Sequence, residues 1–485
     1  MTGAGAVESA AISDGQILVT LNKAQLVMLD EEGLLEPDLV GRVADALATL
    51  GPDWPGSAGD YLAFESELVR IVGPEGSNLH LGRSRNDLGA TRERLWLKHA
   101  FFQTLAGLVK ARRLLLDRVS EHGDVVIASY THAVQAQPIS LGHYLLALDA
   151  SLARDASRLV QAYARIDQSP LGAGALATSG FPLNRHRLAE LLGFSDLCEN
   201  SYDCIGVASA DTKVELAQVF ATSAIGVGRF CSDLVAQHAA PAPGLTVSNE
   251  LTGGSSIMPQ KRNPKVLEHL RNVSSRVVGA AGKVVVVSHN TPFGDIADVR
   301  GIALTETLEV ADLAGEMYST LADLMAGLVV DAAAFARLVK SDYSTMTELA
   351  DTLFREAGVP FRVGHAFAKK VTELGRERLI GPAEVEQDDL ARLYGELTGE
   401  AFPLDHASYL HAVDPGEFVR GRTGVGGPQP KEIARMLTEH QQAVDELASW
   451  SQAETDRLRQ AATDLDAAFL ARTSTTAGGE GPATS

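Results

Sequence analysis

Apolar residues recur at helical spacing along most of this chain, over lengths that few folds accommodate. Between Thr91 and His122 the series is Leu95, Leu97, Phe101, Leu105, Leu108, Leu114 and Leu115. Similar runs cover about 139–166, 211–239, 264–289 and 301–328. A 3.6-residue period held for about 25 residues or more predicts long amphipathic helices. Such helices bury their apolar faces on one another, so the pattern predicts an all-α fold built on a long-helix bundle, a type often shared between subunits. Aromatic residues make up only 6% of the 485, while Ala, Leu and Val abound, which suits helix-on-helix packing. No strand alternation of useful length is visible, and no glycine-rich dinucleotide fingerprint follows a strand.

Turn residues divide the chain into three parts. Gly73, Pro74, Gly76 and Gly82 close an N-terminal helical domain, 1–90. The long-helix bundle follows over 91–340. A C-terminal domain of shorter helices, 341–472, is broken at 358–360, 381–382 and 424–428. The small, polar segments 1–15 and 473–485 read as disordered.

The net charge of −20 and the small size of every basic cluster argue against nucleic acid as a partner, which needs a basic footprint. Acidity instead keeps a large protein soluble. Cys198, Cys204 and Cys231 form no CxxC pair and no His/Cys metal spacing, and so sparse a set suits a reducing compartment. Residues 1–15 lack a basic-then-apolar signal, and no apolar stretch approaches a membrane span. The expectation is a cytoplasmic protein with no membrane partner and no metal site.

Four segments between the helical runs carry unusual polar density. The first is 80–87, His-Leu-Gly-Arg-Ser-Arg-Asn-Asp. Its two arginines, Ser84 and Asn86 make a carboxylate clamp, because guanidinium binds carboxylate in a bidentate fork. A solvated turn with surface ion pairs is the alternative. The second holds Tyr130, Thr131, His132, Gln135 and Gln137. Histidine is the side chain that changes charge near neutrality, so His132 is a candidate acid or base; a brace for the following helix is the alternative. The third, 200–203, precedes a long helix that Asp211 is placed to cap. The fourth, 253–264, is Gly-Gly-Ser-Ser-Ile-Met-Pro-Gln-Lys-Arg-Asn-Pro. Glycines let this loop approach a ligand, Ser255 or Ser256 offers a base or nucleophile, and Lys261 and Asn263 share one side of an extended segment. Together the four suit a small polycarboxylate and a reaction run by a base and an anion-binding pocket. Proton abstraction beside a carboxylate with loss of a β-substituent fits. A Ser-His-Asp hydrolase is the competing class, and no Gly-x-Ser-x-Gly elbow supports it.

Residues 254–264 are similar to the GSSxMPxKxNP signature of the fumarase/aspartase superfamily, and the PQK form resembles the argininosuccinate lyase family. Residues 82–87, GRSRND, resemble that family's second signature. Further matches are 130–132, 136–140 with 142–144, 169–176 and 347–351. The resemblance implies an all-α, three-domain subunit, a homotetramer whose active sites are shared between subunits, and no cofactor. It implies a fumarate-releasing carbon–nitrogen lyase acting on argininosuccinate or a related aminocarboxylate. Ser255, the first serine of GSS, would be the base. Lys261 and Asn263 would contact the substrate, and Ser84, Arg85 and Asn86 would bind its carboxylates. Thr131 and His132 would assist the departing amine, and Gln137 joins the substrate-binding set. An inactive, crystallin-like homologue is the alternative.

Departures from the family pattern cluster on the leaving-group side. The Ser-Asp-Arg-Asp element is absent, and 204–211 reads Cys-Ile-Gly-Val-Ala-Ser-Ala-Asp. Tyr61 stands where a histidine precedes Glu65 by four, and Gln25 follows Ala24 where the family has Ala-His. The segment 290–296, with Phe293, replaces one bearing Gln and Lys contacts. This pattern resembles the subgroup that includes ethylenediamine-N,N'-disuccinate lyase, which points toward an amine other than arginine.

Overall fold

The computed structural model describes residues 13–51 and 61–474. Three helices open the chain: α1 (Asp14–Glu31), α2 (Pro37–Leu50) and α3 (Tyr61–Val72). The long helix α4 (Arg85–His122) leads to α5 (Leu141–Ile166), short α6 (Arg185–Leu191) and α7 (Ser201–Gly206), then α8 (Ala208–His238), α9 (Lys265–Ser288) and α10 (Ala303–Ala326). Next come α11 (Ala332–Lys340), α12 (Met346–Ala357), α13 (Phe361–Arg378), α14 (Gln387–Thr398), α15 (His406–Val413) and α16 (Pro415–Arg420). The last and longest helix is α17 (Pro430–Leu470).

The five long periodic runs are α4, α5, α8, α9 and α10, which pack side by side. Their shared core includes Phe101, Leu108, Leu152, Phe220, Val273, Val277, Met317 and Tyr318. Truncating one of these large apolar side chains to Ala costs about 2–5 kcal/mol through lost transfer energy and a cavity. By length and composition α8 is the one helix among the described residues able to cross a membrane. It instead packs on α5, α9 and α10.

Several sequence expectations need correction. Residues 126–140 form a β-hairpin, β1 (Val126–Thr131) and β2 (Val134–Ser140), joined through the His132–Ala133 turn. A bulge between Ala128 and Tyr130 and the proline in β2 break the alternation that would have flagged these strands. Asp211 does not cap α8; it lies in the first turn, three residues inside. The C-terminal part is not all short helices. A third core gathers Leu349, Phe367, Val371, Leu390 and Tyr409, and then α17 leaves it. Val444 and Leu447 of α17 join the bundle core, and Leu465 and Phe469 join the N-terminal core. Most of the two segments read as disordered lies outside the described residues. Inside them, Ser13 and Gln16 close a reciprocal cap on α1, and Ser474 Oγ donates to Asp45, so 13–15 and 473–474 are ordered.

Candidate active site

Ser84 is the N-cap of α4. Its hydroxyl accepts from the Asn86 N–H at 3.3 Å, and Asp87 returns the bond from Ser84 N–H at 2.9 Å. Asp87 is fully buried. Its carboxylate also accepts from the N–H groups of Leu88, Gly172 and Gly174 at 2.9, 3.0 and 3.0 Å. The head of α4 is thereby fastened to the 170–178 loop, where Leu176 and Thr178 hold left-handed φ of 84° and 59°. Such backbone is costly for non-glycine residues and concentrates at functional sites. Burial, acting against those hydrogen bonds, raises the Asp87 pKa to about 6.

This cap aims Arg85 and Asn86 outward while Arg83 turns in. Arg83 is buried, donates to Asn22 Oδ1 at 2.7 Å and to Tyr61 OH at 3.1 Å, and lies over the Tyr61 ring. The expected clamp of two arginines therefore has one member, Arg85. The Tyr61 ring meets His80 edge-on at 4.1 Å. Burial, with Arg83 adding to it, lowers the His80 pKa to about 3. Gln25 is a buried strut whose amide donates to Leu81 O at 3.1 Å.

Arg85 and Asn86 line a cavity of about 460 Å³, with Tyr61, Gly89, Arg92, Glu93, Asp295 and Arg300. Arg300 is the residue that sequence reasoning missed. It sits in a π-helical turn, Asp298–Ile302. Its Nη1 donates to Asp295 at 2.7 Å and reaches Asn86 Oδ1 at 3.5 Å. A Cβ on Gly89 would stand 3.3 Å from the Arg300 Cζ, so the glycine admits the guanidinium against α4. An irregular turn has no periodic signature, and π-turns frequently mark functional positions.

Thr131 and His132 occupy the tip of the hairpin, and both are exposed. His132 and Ala133 have φ of 53° and 60°, the left-handed pair that a two-residue hairpin turn demands and that Asn-Gly usually supplies. His132 is thus neither a cap nor a brace for a helix. Gln137, on β2, donates to Thr347 Oγ1 at 3.3 Å, a tie between the hairpin and α12.

The loop 253–264 is a clasp in which Gly253 pairs with Asn263 and Gly254 with Arg262. Ser255 Oγ accepts from the N–H groups of Met258 and Ile257 at 3.1 and 3.4 Å. Two N–H donors at one hydroxyl oxygen favour its alkoxide. Lys261 is exposed and Asn263 half-buried. A Cβ on Gly253 would overlap the end of the Lys265 side chain at 2.1 Å, which would have to swing aside to admit it. Among the described residues, none of Ser255, Lys261, Asn263, Thr131 or His132 lines the Arg85 cavity. The expected site residues therefore do not share that cavity: Arg85 and Asn86 line it, while the clasp and the hairpin tip do not.

Residues 53–279 match the family described as lyase, and residues 343–419 match the argininosuccinate lyase C-terminal family. Argininosuccinate lyase 2 of Agrobacterium fabrum is 33% identical over 93% of this chain and 91% of its own length. Argininosuccinate lyase of Methanocaldococcus jannaschii is 31% identical over 87% of each. A crystal structure of EDDS lyase in complex with formate superposes with a TM-score of 0.87 at 27% identity, over 99% of this chain and 98% of that one. A class II fumarase from Schistosoma mansoni, 17% identical with a TM-score of 0.66 over 86% of this chain and 94% of its own, shares the fold alone. On this full-length similarity, the chain belongs to the argininosuccinate lyase family of the fumarase/aspartase superfamily and is a fumarate-releasing carbon–nitrogen lyase.

Proposed function

We propose that this lyase cleaves an N-substituted aspartate by anti β-elimination, in a homotetramer whose sites combine patches from different subunits. Ser255 Oγ takes the proton from the substrate carbon beside a carboxylate. The electron pair passes into that carboxylate as an aci-carboxylate, held by Lys261 and Asn263, and the N–H groups at Ser255 favour its alkoxide. Collapse forms the C=C bond of fumarate and breaks the C–N bond, whose pair goes to the amine nitrogen with a proton. Thr131 and His132, presented by the strained hairpin tip, serve the departing amine. Ser84 orders the head of α4, and Arg85, Asn86 and Arg300 bind carboxylate. Gln137 acts at one remove, fixing the hairpin on α12.

The observation that carries this reading is the convergence of Arg85, Asn86 and Arg300 around one cavity. Asp295 is neutralised by Arg300, Glu93 by Lys213 and Arg92 by Asp14, so the cavity keeps one excess positive charge, from Arg85. That excess suits an amine half bearing a carboxylate better than one ending in a guanidinium. Among the candidate substrates it favours an aminocarboxylate such as ethylenediamine disuccinate over argininosuccinate.

Fumarate absorbance on offering each substrate tests the assignment. Turnover of the aminocarboxylate should exceed that of argininosuccinate; the opposite ranking sinks the amine assignment, and no turnover of either sinks the enzyme reading. Ser255→Ala should lower kcat by about 10²–10⁴-fold, the usual reach of a general base, without changing the assembly. Activity within tenfold of the parent would remove Ser255 from the role of base.

A further inference from the structure

The buried ion pair of Lys213 and Glu93 lies behind the cavity wall. Lys213, on α8, is 1% exposed, and its Nζ donates to Glu93 Oε2 on α4 at 2.5 Å and to the main-chain carbonyl of Val299 at 3.0 Å. Val299 immediately precedes Arg300 in the π-helical turn. One ammonium group therefore joins three elements: the helix that carries Arg85 and Asn86, the core helix α8, and the turn that carries Arg300. A buried ion pair is a poor source of stability, since desolvation offsets the attraction and an apolar pair of equal volume often does as well. Its directional bonds are what an apolar pair lacks.

We infer that Lys213 and Glu93 are positioning residues that set where the Arg300 guanidinium stands in the cavity. The mechanism is mechanical. With one N–H of Lys213 engaged by Glu93, a second meets the Val299 carbonyl and ties the turn to α4. Gly89 leaves the gap that the Arg300 guanidinium occupies. Arg300 meets Asn86 and Asp295 only if the turn stays at that height. Loosening the tether lets the guanidinium drift and weakens its grip on a substrate carboxylate, while Ser255 and the clasp, which this network does not touch, keep their geometry.

The inference rests on Arg300 binding the substrate as proposed above. The test is a cycle on the full-length protein with fumarate release as readout, comparing Glu93→Leu/Lys213→Met, Arg300→Met and their combination. The paired variant should raise KM about tenfold, keep kcat within about threefold and unfold within a few degrees of the parent. Arg300→Met should raise KM at least as much, and the combination should be no worse than Arg300→Met alone. Glu93→Gln, which preserves volume and an acceptor for Lys213, is the second variant should the paired one fail to fold; it should raise KM about threefold, again with no effect on the Arg300→Met background. A KM raised by Arg300→Met but unmoved by the other variants overturns the positioning role alone. So do effects that multiply in the combination, since the pair would then act independently of Arg300. A KM unmoved by Arg300→Met overturns the substrate contact and the positioning role with it.

Discussion

Single residues in this protein owe their roles to where burial leaves them. Arg83 and Arg85 are two positions apart in one motif, yet one is a buried strut and the other lines the cavity. The helix cap between them decides it, because Ser84 starts α4 and turns the two side chains apart. Asp87 completes that cap and is the residue whose titration can be read. Its folded pKa of about 6 lies above the ordinary carboxylate value of about 4. Between those pH values the folded state binds more protons than the unfolded state, so the stability held at this site is full below about pH 4 and falls as pH rises toward 6. The loss is about 3 kcal/mol for a shift of two units. Asp87→Asn should flatten the pH dependence of unfolding free energy in that window, measured by urea titration at pH 4, 5, 6 and 7. An Asn variant with the parent's slope would show that another group titrates there.

At the scale of elements, regular segments announce themselves and irregular ones do not. The five bundle helices were legible, four of them to within three residues and α4 to within six at its start, because each buries one continuous face. The hairpin was not, because a bulge, a proline and a His-Ala turn replace every usual strand signal. The π-helical turn was invisible for the same reason, and with it Arg300. Gly89 connects the regular to the irregular. A glycine inside a helix costs about 1 kcal/mol relative to alanine, and here it accommodates Arg300. Gly89→Ala should therefore leave the thermal midpoint at or above that of the parent while raising KM severalfold. A KM unchanged in that variant would mean the guanidinium has room to step aside.

At the scale of the whole molecule the proposed homotetramer makes its own predictions. Neither Ser255 of the clasp nor His132 of the hairpin tip lines the cavity that holds Arg85 among the described residues. The homotetramer proposed above would bring them together. Helix α9 offers a surface for it, since Val278, Val285 and Val286 are 39%, 38% and 70% exposed along one stripe, and Gly279 and Gly282 have open space beside them. Exposed apolar stripes on a helix of a large core mark association faces. If the parent has the proposed tetramer's mass, four times 51.4 kDa, Val286→Asp should reduce it and abolish turnover while helicity persists; an active, full-mass variant would move the interface elsewhere. Mixing two inactive variants, Ser255→Ala and Arg85→Ala, should restore part of the activity, since some mixed sites would draw an intact Ser255 and an intact Arg85 from different subunits. No recovery after verified mixing would place the whole site in one chain.

The helical bundle and the order of its long elements were already written in the amino-acid order, as was the expectation of a glycine-rich clasp carrying serine, lysine and asparagine. These are local properties: a period of 3.6 residues, and a run of residue types that can be read without knowing the packing. It took the packed molecule to show which arginine faces the cavity, that Arg300 joins it, that α17 returns to stitch two cores together, and that the clasp and hairpin tip do not line that cavity. Each of those depends on distance between positions far separated along the chain, and on which charged groups burial leaves room for.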